Sequence, residues 1–523
     1  MNGSPAHGRA RPLTALAVVS CAVFMAMLDN LAVNNALPRV GAEMGLGVSG
    51  LQWVVAAYTL TFAACLLSGS VLGERLGQRR AFVAGMLVFC AGSACSALAP
   101  DWATLVAGRV VQGIGAAVLM PASMALLRHV FADPVRRTRA MGVRGGAAGL
   151  GVALGPTIGG PLVDAFGWRS VMWINVPVGV AVVLLAPRVL PRVPPAPARW
   201  DPAGQVLAVT GLGSLIHALV QGPVDGWTAP AVLATLALAA LALPAFVVAE
   251  YRAPAPMLDV RLLRERVPAA ASLACFTAGL GLFGSVFFLT LYLQNVLGWS
   301  ATGAGLVFLT SSAFIVLAAP AAGALAACQG ARLPLMSGLL LCAVALLGLS
   351  RYDRYAAYGG YGWLLPVLGA GVGLTFVSAV IAAVQRASAS RTAMTSALMD
   401  TLRELGGVVG VAALGAILTG RMRPALYERA TAAGVPDGLA HDLAGSVIRH
   451  GAAAVLDTPA AGPMAAAGRV WVEEAFVDGL QLALRCGALV LLGAAAAVAL
   501  LLRGDRAAAA EPSLPPAAVT RRP

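Results

Sequence analysis

Lysine is absent from this chain of 523 residues, and all 36 of its basic residues are arginine. Charge of either sign is scarce, at 11% of residues, where an ordinary soluble domain carries about a quarter. Aromatic residues make up only 6%. The eight cysteines and five histidines contain no CxxC pair and no tract with metal-ligand spacing, so no metal or other cofactor is expected. No GxxxxGK[ST] loop occurs, which argues against an ATP-driven pump. No Ser/His/Asp set stands out, and an enzyme is not expected. What fills the chain is hydrophobic: 59% of residues, in repeated apolar runs long enough to cross a bilayer.

Apolar runs between polar or turn-rich breaks predict fourteen spans, at 13–37, 51–72, 81–99, 102–127, 139–163, 170–187, 203–220, 229–249, 269–293, 302–327, 333–349, 359–384, 397–420 and 479–502. The first run, with Arg9 and Arg11 before it, is longer than a signal-peptide core and lacks a cleavage pattern, so it is read as a retained span. The arginines support this count. With the N-terminus inside, inner segments carry 23 arginines and outer segments nine, five of them in the loop 421–478. Positive charge concentrates on the cytoplasmic side of membrane proteins. Both termini are therefore expected in the cytoplasm, and the net charge of +13 reflects membrane orientation rather than nucleic-acid binding. The loop 421–478 mixes apolar and charged residues at 424–433 and 438–450, which predicts helix lying on the membrane surface. The tail from Ala507 is rich in Ala and Pro and is expected to be disordered. The cysteines all lie in or at the ends of apolar segments and read as buried packing residues.

Several segments carry patterns beyond hydropathy. Between spans 2 and 3 stand Gly69, Gly73, Glu74, Arg75, Gly77, Arg79 and Arg80, where glycines permit a tight turn and the charged residues can pair with one another or with helix ends. Span 4 carries Arg109, Gln112, Gly113 and Gly115. Span 5 carries Gly151, Gly155, Pro156, Gly159 and Gly160, a spacing that lets helices approach closely. Span 1 ends with Asp29, Asn30, Asn34, Asn35 and Pro38, and span 6 opens with Trp168, Arg169 and Asn175.

With these motifs in this order, the chain resembles the fourteen-helix drug:proton antiporter branch of the major facilitator superfamily. The resemblance implies an all-α polytopic membrane protein of two six-helix bundles, 1–187 and 269–502, with two extra helices in 188–268 and a cytoplasmic tail 503–523. It implies alternating access, a small hydrophobic drug or antibiotic as substrate, protons as the driving partner, and a monomer in the inner membrane. Self-resistance or secondary-metabolite export are roles found on this scaffold. A solute symporter on the same fold is the competing reading, and Gly155-Pro156 argues against it. Glu74 stands where the family usually has Asp, Gln78 where it has Arg, and span 10 lacks the acid of some relatives selective for cationic drugs. Gly330 and Arg332, after span 10, repeat the spacing of Gly77 and Arg79 as a faint internal echo.

Proton coupling needs a carboxylate inside the membrane, where burial favours its protonated form and a nearby cation its ionised form. Asp29 is the candidate. It lies nine residues inward from Pro38, and Arg109 seven residues from the outer end of span 4, at roughly 14 and 10 Å by helical rise. Their depths permit pairing, with Arg109 tuning Asp29. Asp400, Arg403 and Glu404 share a face of span 13 near its inner end, where coupling and anchoring by snorkelling side chains are both open. Asn34, Gln112, Arg144 and Arg485 are candidate cavity residues, Arg485 alternatively neutralising Asp478. His217 reads as an interfacial residue rather than a proton relay.

Overall fold

The computed structural model describes residues 12–197, 200–253, 260–386, 392–456 and 464–503. Among them no strand occurs, and fourteen helices are long and apolar enough to cross a bilayer. The expected span count therefore holds. Arg9, Arg11 and the tail from Ala507 lie outside the described residues.

The first half comprises α1 (Pro12–Met44), α2 (Val48–Leu76), α3 (Gln78–Ala97), α4 (Trp102–Val130) and α5 (Pro134–Phe166), then α6 (Arg169–Trp173) and α7 (Asn175–Val189), which together make one crossing. A hairpin of α8 (Pro202–Asp225) and α9 (Pro230–Arg252) follows. The second half comprises α10 (Arg266–Leu291), extended by a π-helical turn Tyr292–Val296, then α11 (Ala301–Gln329) and α12 (Arg332–Leu349). After these come the short α13 (Tyr358–Tyr361), α14 (Leu364–Arg386), α15 (Thr392–Ala432), α16 (Asp437–Leu456) and α17 (Met464–Leu501). The face carrying Pro12 and Arg503 is the tail face, and the opposite one is the loop face.

Local chemistry sets the helix starts. Asp101, Asp133, Asp201 and Ser300 cap α4, α5, α8 and α11 by accepting from backbone N–H three residues on, at 2.8, 2.8, 2.8 and 3.0 Å. Such caps contribute about 1 kcal/mol each. Between helices, where lipid supplies no hydrophobic drive, close backbone approach at small residues does the packing. A Cβ on Gly92 of α3 would lie 2.7 Å from Gly108 O of α4, and one on Gly338 of α12 would lie 2.7 Å from Gly371 O of α14. The internal echo is structural too. Gly77 turns α2 into α3 at φ +85°, and Gly330 turns α11 into α12 at φ +75°.

The core divides at mid-depth. From Leu28 onward, buried residues of α1 and the loop-face end of α2 join one continuous cluster with α10, α12, α14, α15 and α17. The tail-face portions of α1 to α4 and α7 form a second cluster of their own. The two halves thus share a core towards the loop face and part towards the tail face.

The segment 421–478 differs from expectation. α15 continues to Ala432 and α17 begins at Met464, so much of it extends the flanking helices. Ala425, Leu426 and Ala430 are buried, and Pro424 sits inside α15 without ending it. α16 reaches the first half, where Gly47 N donates to Arg449 O at 3.0 Å, and it bends at Gly451 (φ +80°), whose missing side chain leaves room for Leu46 O. The cysteines are all free, but only Cys90, Cys275 and Cys342 are buried; Cys21, Cys95 and Cys328 are exposed on helix surfaces.

Candidate functional site

Five neighbouring helices, α1, α2, α3, α4 and α7, build a charged site where an apolar chain can least tolerate one. α1 presents Asp29, α4 presents Arg109, and both side chains have 0% exposure. Arg109 Nη1 donates to Asp29 Oδ2 at 2.5 Å and to Gln112 Oε1 at 3.1 Å, while its Nε reaches Val54 O at 3.3 Å. Its guanidinium stacks 4.4 Å from the Tyr58 ring centroid. The second carboxylate oxygen of Asp29 accepts from Asn175 Nδ2 at 2.6 Å and Gln112 Nε2 at 3.4 Å. Asn175 Nδ2 also donates to Ser93 Oγ at 3.0 Å. A lone charge at this depth costs at least about 2.5–3.5 kcal/mol. The pair and its amide partners offset that, leaving Arg109 Nη2 as one buried donor without a protein partner.

A second buried carboxylate faces the first from the other half. Glu404 of α15 is paired with Arg403 Nη2 at 2.9 Å and accepts from Asn30 Nδ2 of α1 at 3.2 Å. Asn30 Oδ1 accepts in turn from Thr59 Oγ1 at 3.4 Å. Glu404 does not snorkel, since its side chain is 1% exposed, whereas Asp400 is half exposed and meets Arg403 at 3.4 Å. Sequence reading missed Asn30, Asn175, Thr59, Tyr58 and Ser93 as site residues. Asn30 was detectable as a second polar residue beside Asp29 in an apolar span; its partner 374 positions away was not.

Further bonds between the halves lie towards the loop face. Asn35 Nδ2, which donates to Pro156 O of its own half at 2.6 Å, also reaches Ala301 O of the other half at 3.4 Å. Gln52 Nε2 donates to Val411 O at 2.6 Å, and Asp164 accepts from Thr302 N at 2.8 Å. Gly151, Gly155 and Gly159 of α5 seat the helix on α1, where a Cβ would lie 2.9, 2.9 and 2.8 Å from Met27 Cβ, Leu28 O and Ala32 O. Pro156 and Gly160 face α11 instead, opposite Gly305 and Ala301. By helical periodicity that face continues towards the tail side as Gly149, Gly146, Gly145 and Gly142, and there nothing lies within 4 Å of it. α5 and α11 are joined at the loop face and parted at the tail face. The other seam, between α2 and α15, is bridged by α8, whose Ile216 and Val220 pack with Ala56, Val408 and Ala412. His217 of α8 lies 6.1 Å from the Trp53 ring.

The expected inner loop is almost wholly helical, since α2 runs to Leu76 and α3 starts at Gln78 with only Gly77 between them. Gly69 of α2 packs against the Ala117 backbone, where a Cβ would lie 2.6 Å from the Ala117 carbonyl carbon, and Glu74 O of α2 accepts from Ala196 N at 2.9 Å. Arg79 Nη1 caps the end of α7 at Pro187 O (3.1 Å) and Leu190 O (3.4 Å). The Gly73 backbone adjoins the Gln78 side chain, while the side chains of Glu74, Arg75 and Arg80 are exposed. Asn34 is buried with Oδ1 unpartnered in the protein. Arg144 is buried between α5 and α4, donating to Ser123 Oγ at 2.8 Å and Met120 O at 3.1 Å. Arg485 is exposed and donates to Ser350 O and Gln481 Oε1, while Asp478 is taken by Arg429 at 2.7 Å.

Residues 19–411 match the Major Facilitator Superfamily. The chain belongs to that superfamily. It is 33% identical over 487 residues to multidrug resistance protein Stp of Mycobacterium tuberculosis (strain CDC 1551 / Oshkosh), covering 90% of this chain and 88% of Stp. It is 31% identical to the tetracenomycin C resistance and export protein of Streptomyces glaucescens, covering 96% and 93%, and 32% identical to multidrug efflux pump LfrA of Mycolicibacterium smegmatis (strain ATCC 700084 / mc(2)155), covering 96% and 99%. Among solved structures, a bacterial homologue of the human lysosomal transporter Spinster, inward-facing and occupied, shares the fold at TM-score 0.67 and 14% identity, over 96% of this chain and 98% of that one. Within this superfamily fold, the charged site lies where the two halves meet, so any relative movement of the halves acts on the bonds around Asn30 and Glu404.

Proposed function

We propose that this protein is a proton-coupled exporter that carries a small hydrophobic drug or antibiotic out of the cytoplasm, with the tail face cytoplasmic, and works as a monomer without a cofactor. One observation carries the reading: a fully buried Asp29–Arg109 pair on one half, one residue from the bond by which Asn30 holds Glu404 of the other half. The names of the relatives and the arginine bias of the tail-face loops support direction and orientation.

The chemistry follows from charge. Ionised, Asp29 is held by Arg109, Asn175 and Gln112. A proton on Asp29 removes the ion pair and weakens the hold on Arg109, whose remaining contacts are the α2 carbonyl of Val54, the Gln112 amide oxygen and the Tyr58 ring. α1 is then free to shift against α4, and Asn30 moves with it at the Glu404 contact. Glu404 and Arg403 act as coupling residues on the second half, with Asp400 anchoring Arg403 at the membrane edge. The state described here, closed at the loop face and parted at the tail face, is the one that takes up cargo from the cytoplasm. Gly142 to Gly149 form the face on which α11 seats when the tail side closes. Arg144, beside that face, and Asn34 and Gln112, near the pair, are the polar groups offered to the cargo; the exposed Arg485 lies apart from them.

The test is a drug-susceptibility panel in an efflux-deficient host, with and without a protonophore. Raised resistance to one or more hydrophobic compounds, abolished by the protonophore, is expected. Resistance that the protonophore leaves intact would overturn the proton-coupled reading.

A further inference from the structure

A recess of about 660 Å³ opens at the tail face of the second half. Its walls come from three separate stretches of chain: Arg264, Glu265 and Arg266 at the start of α10, Arg386 at the end of α14, and Leu501 and Arg503 at the end of α17. Four arginines and one carboxylate converge there, over a floor that includes buried Val267 and Pro268. α10 starts at this point without a side-chain cap, so its first N–H groups add to the positive potential. Charge spread along the tail-face loops would serve orientation equally well from anywhere. Here it is gathered around one cavity at the rim of three crossing helices.

We infer that this recess binds the phosphate of an anionic lipid headgroup, with the acyl chains running down the helix surfaces beside Leu501. The guanidinium fork matches phosphate oxygens bidentately. An open position at the membrane rim with an apolar floor suits a headgroup tethered to hydrocarbon better than a free anion, and basic pockets between helix ends bind anionic lipids in this way. The lipid ties the ends of α10, α14 and α17 together, bracing the tail end of the second half while the first half moves against it.

The experiment uses the full chain purified in detergent, with cardiolipin, phosphatidylglycerol, phosphatidylcholine and inorganic phosphate as probes and native mass spectrometry as the readout. Wild-type protein is expected to retain cardiolipin or phosphatidylglycerol in preference to phosphatidylcholine. The Arg264→Gln/Arg266→Gln/Arg503→Gln variant is expected to bind the anionic lipid about tenfold more weakly or worse, with unchanged elution and lipid-free melting. If the triple variant does not fold, Arg503→Gln alone, after the last helix, is expected to weaken binding in the same direction. Equal retention of phosphatidylcholine, equal anionic-lipid binding by the variants, or displacement of lipid by equimolar inorganic phosphate would each overturn the assignment. Because the readout is lipid binding and not efflux, failure here leaves the transport reading standing, and the converse also holds.

Discussion

At the scale of single residues, the Asp29–Arg109 pair governs both stability and coupling. Removing one partner strands a buried charge, a loss of about 3–5 kcal/mol. Arg109→Gln is therefore expected to lower the melting temperature sharply, and adding Asp29→Asn to it should recover part of the loss; thermal unfolding in detergent measures both. Glu404→Gln keeps an acceptor for Asn30 but discards the charge that Arg403 pairs with. It is expected to leave drug binding within about threefold, a difference of under 1 kcal/mol, while suppressing proton-driven efflux, as tryptophan-quench titration and a transport assay would read. The pair itself was legible in the sequence, because a carboxylate and an arginine inside apolar runs at similar depth have few other ways to be satisfied. The depth of Glu404 was not, since hydropathy places a residue along a span but does not say which neighbouring helix covers it.

At the scale of elements, glycine decides what touches what. α5 sits on α1 through Gly151, Gly155 and Gly159, and Gly155→Leu would drive a branched side chain into the Leu28 carbonyl. Overpacking of this kind costs about 1–3 kcal/mol, so loss of expression or of a monodisperse elution peak is expected, whereas Gly145→Leu on the uncovered face should fold and fail in transport. α16 offers a second test. Gly451 holds φ +80°, a conformation that a β-branched residue resists, with a cost of about 1–3 kcal/mol. Gly451→Val is expected to loosen the Gly47–Arg449 clasp and raise hydrogen exchange at 46–48 and 449–451 without unfolding the bundle. Period and composition revealed the crossing helices, but not α16. Its residues read as surface helix from composition, and its contacts with the first half, the Gly47–Arg449 backbone bond and the buried Ala444, Val447 and Ile448, are set by tertiary packing.

For the whole molecule, two halves share a core at one face and part at the other. The antiparallel register of α5 and α11, fixed by Gly160 opposite Ala301 and Pro156 opposite Gly305, continues by periodicity as Gly149 opposite Ser312 and Gly142 opposite Ala319. In a background with the eight native cysteines replaced, Asp164→Cys with Thr302→Cys is expected to cross-link in the state described here and to arrest transport. Gly142→Cys with Ala319→Cys should cross-link only when the tail face closes. The number of crossings followed from the apolar runs, and their division into two bundles with a hairpin between them was an expectation from the family resemblance, while the state of opening has no trace in composition. The most direct test of proton coupling is made in proteoliposomes carrying a pH-sensitive dye and a transported drug. Wild-type protein is expected to move protons in step with drug when a pH gradient is imposed. Asp29→Asn is expected to exchange drug for drug but to move no protons and accumulate nothing. Gradient-driven accumulation by Asp29→Asn at the wild-type rate would contradict the account.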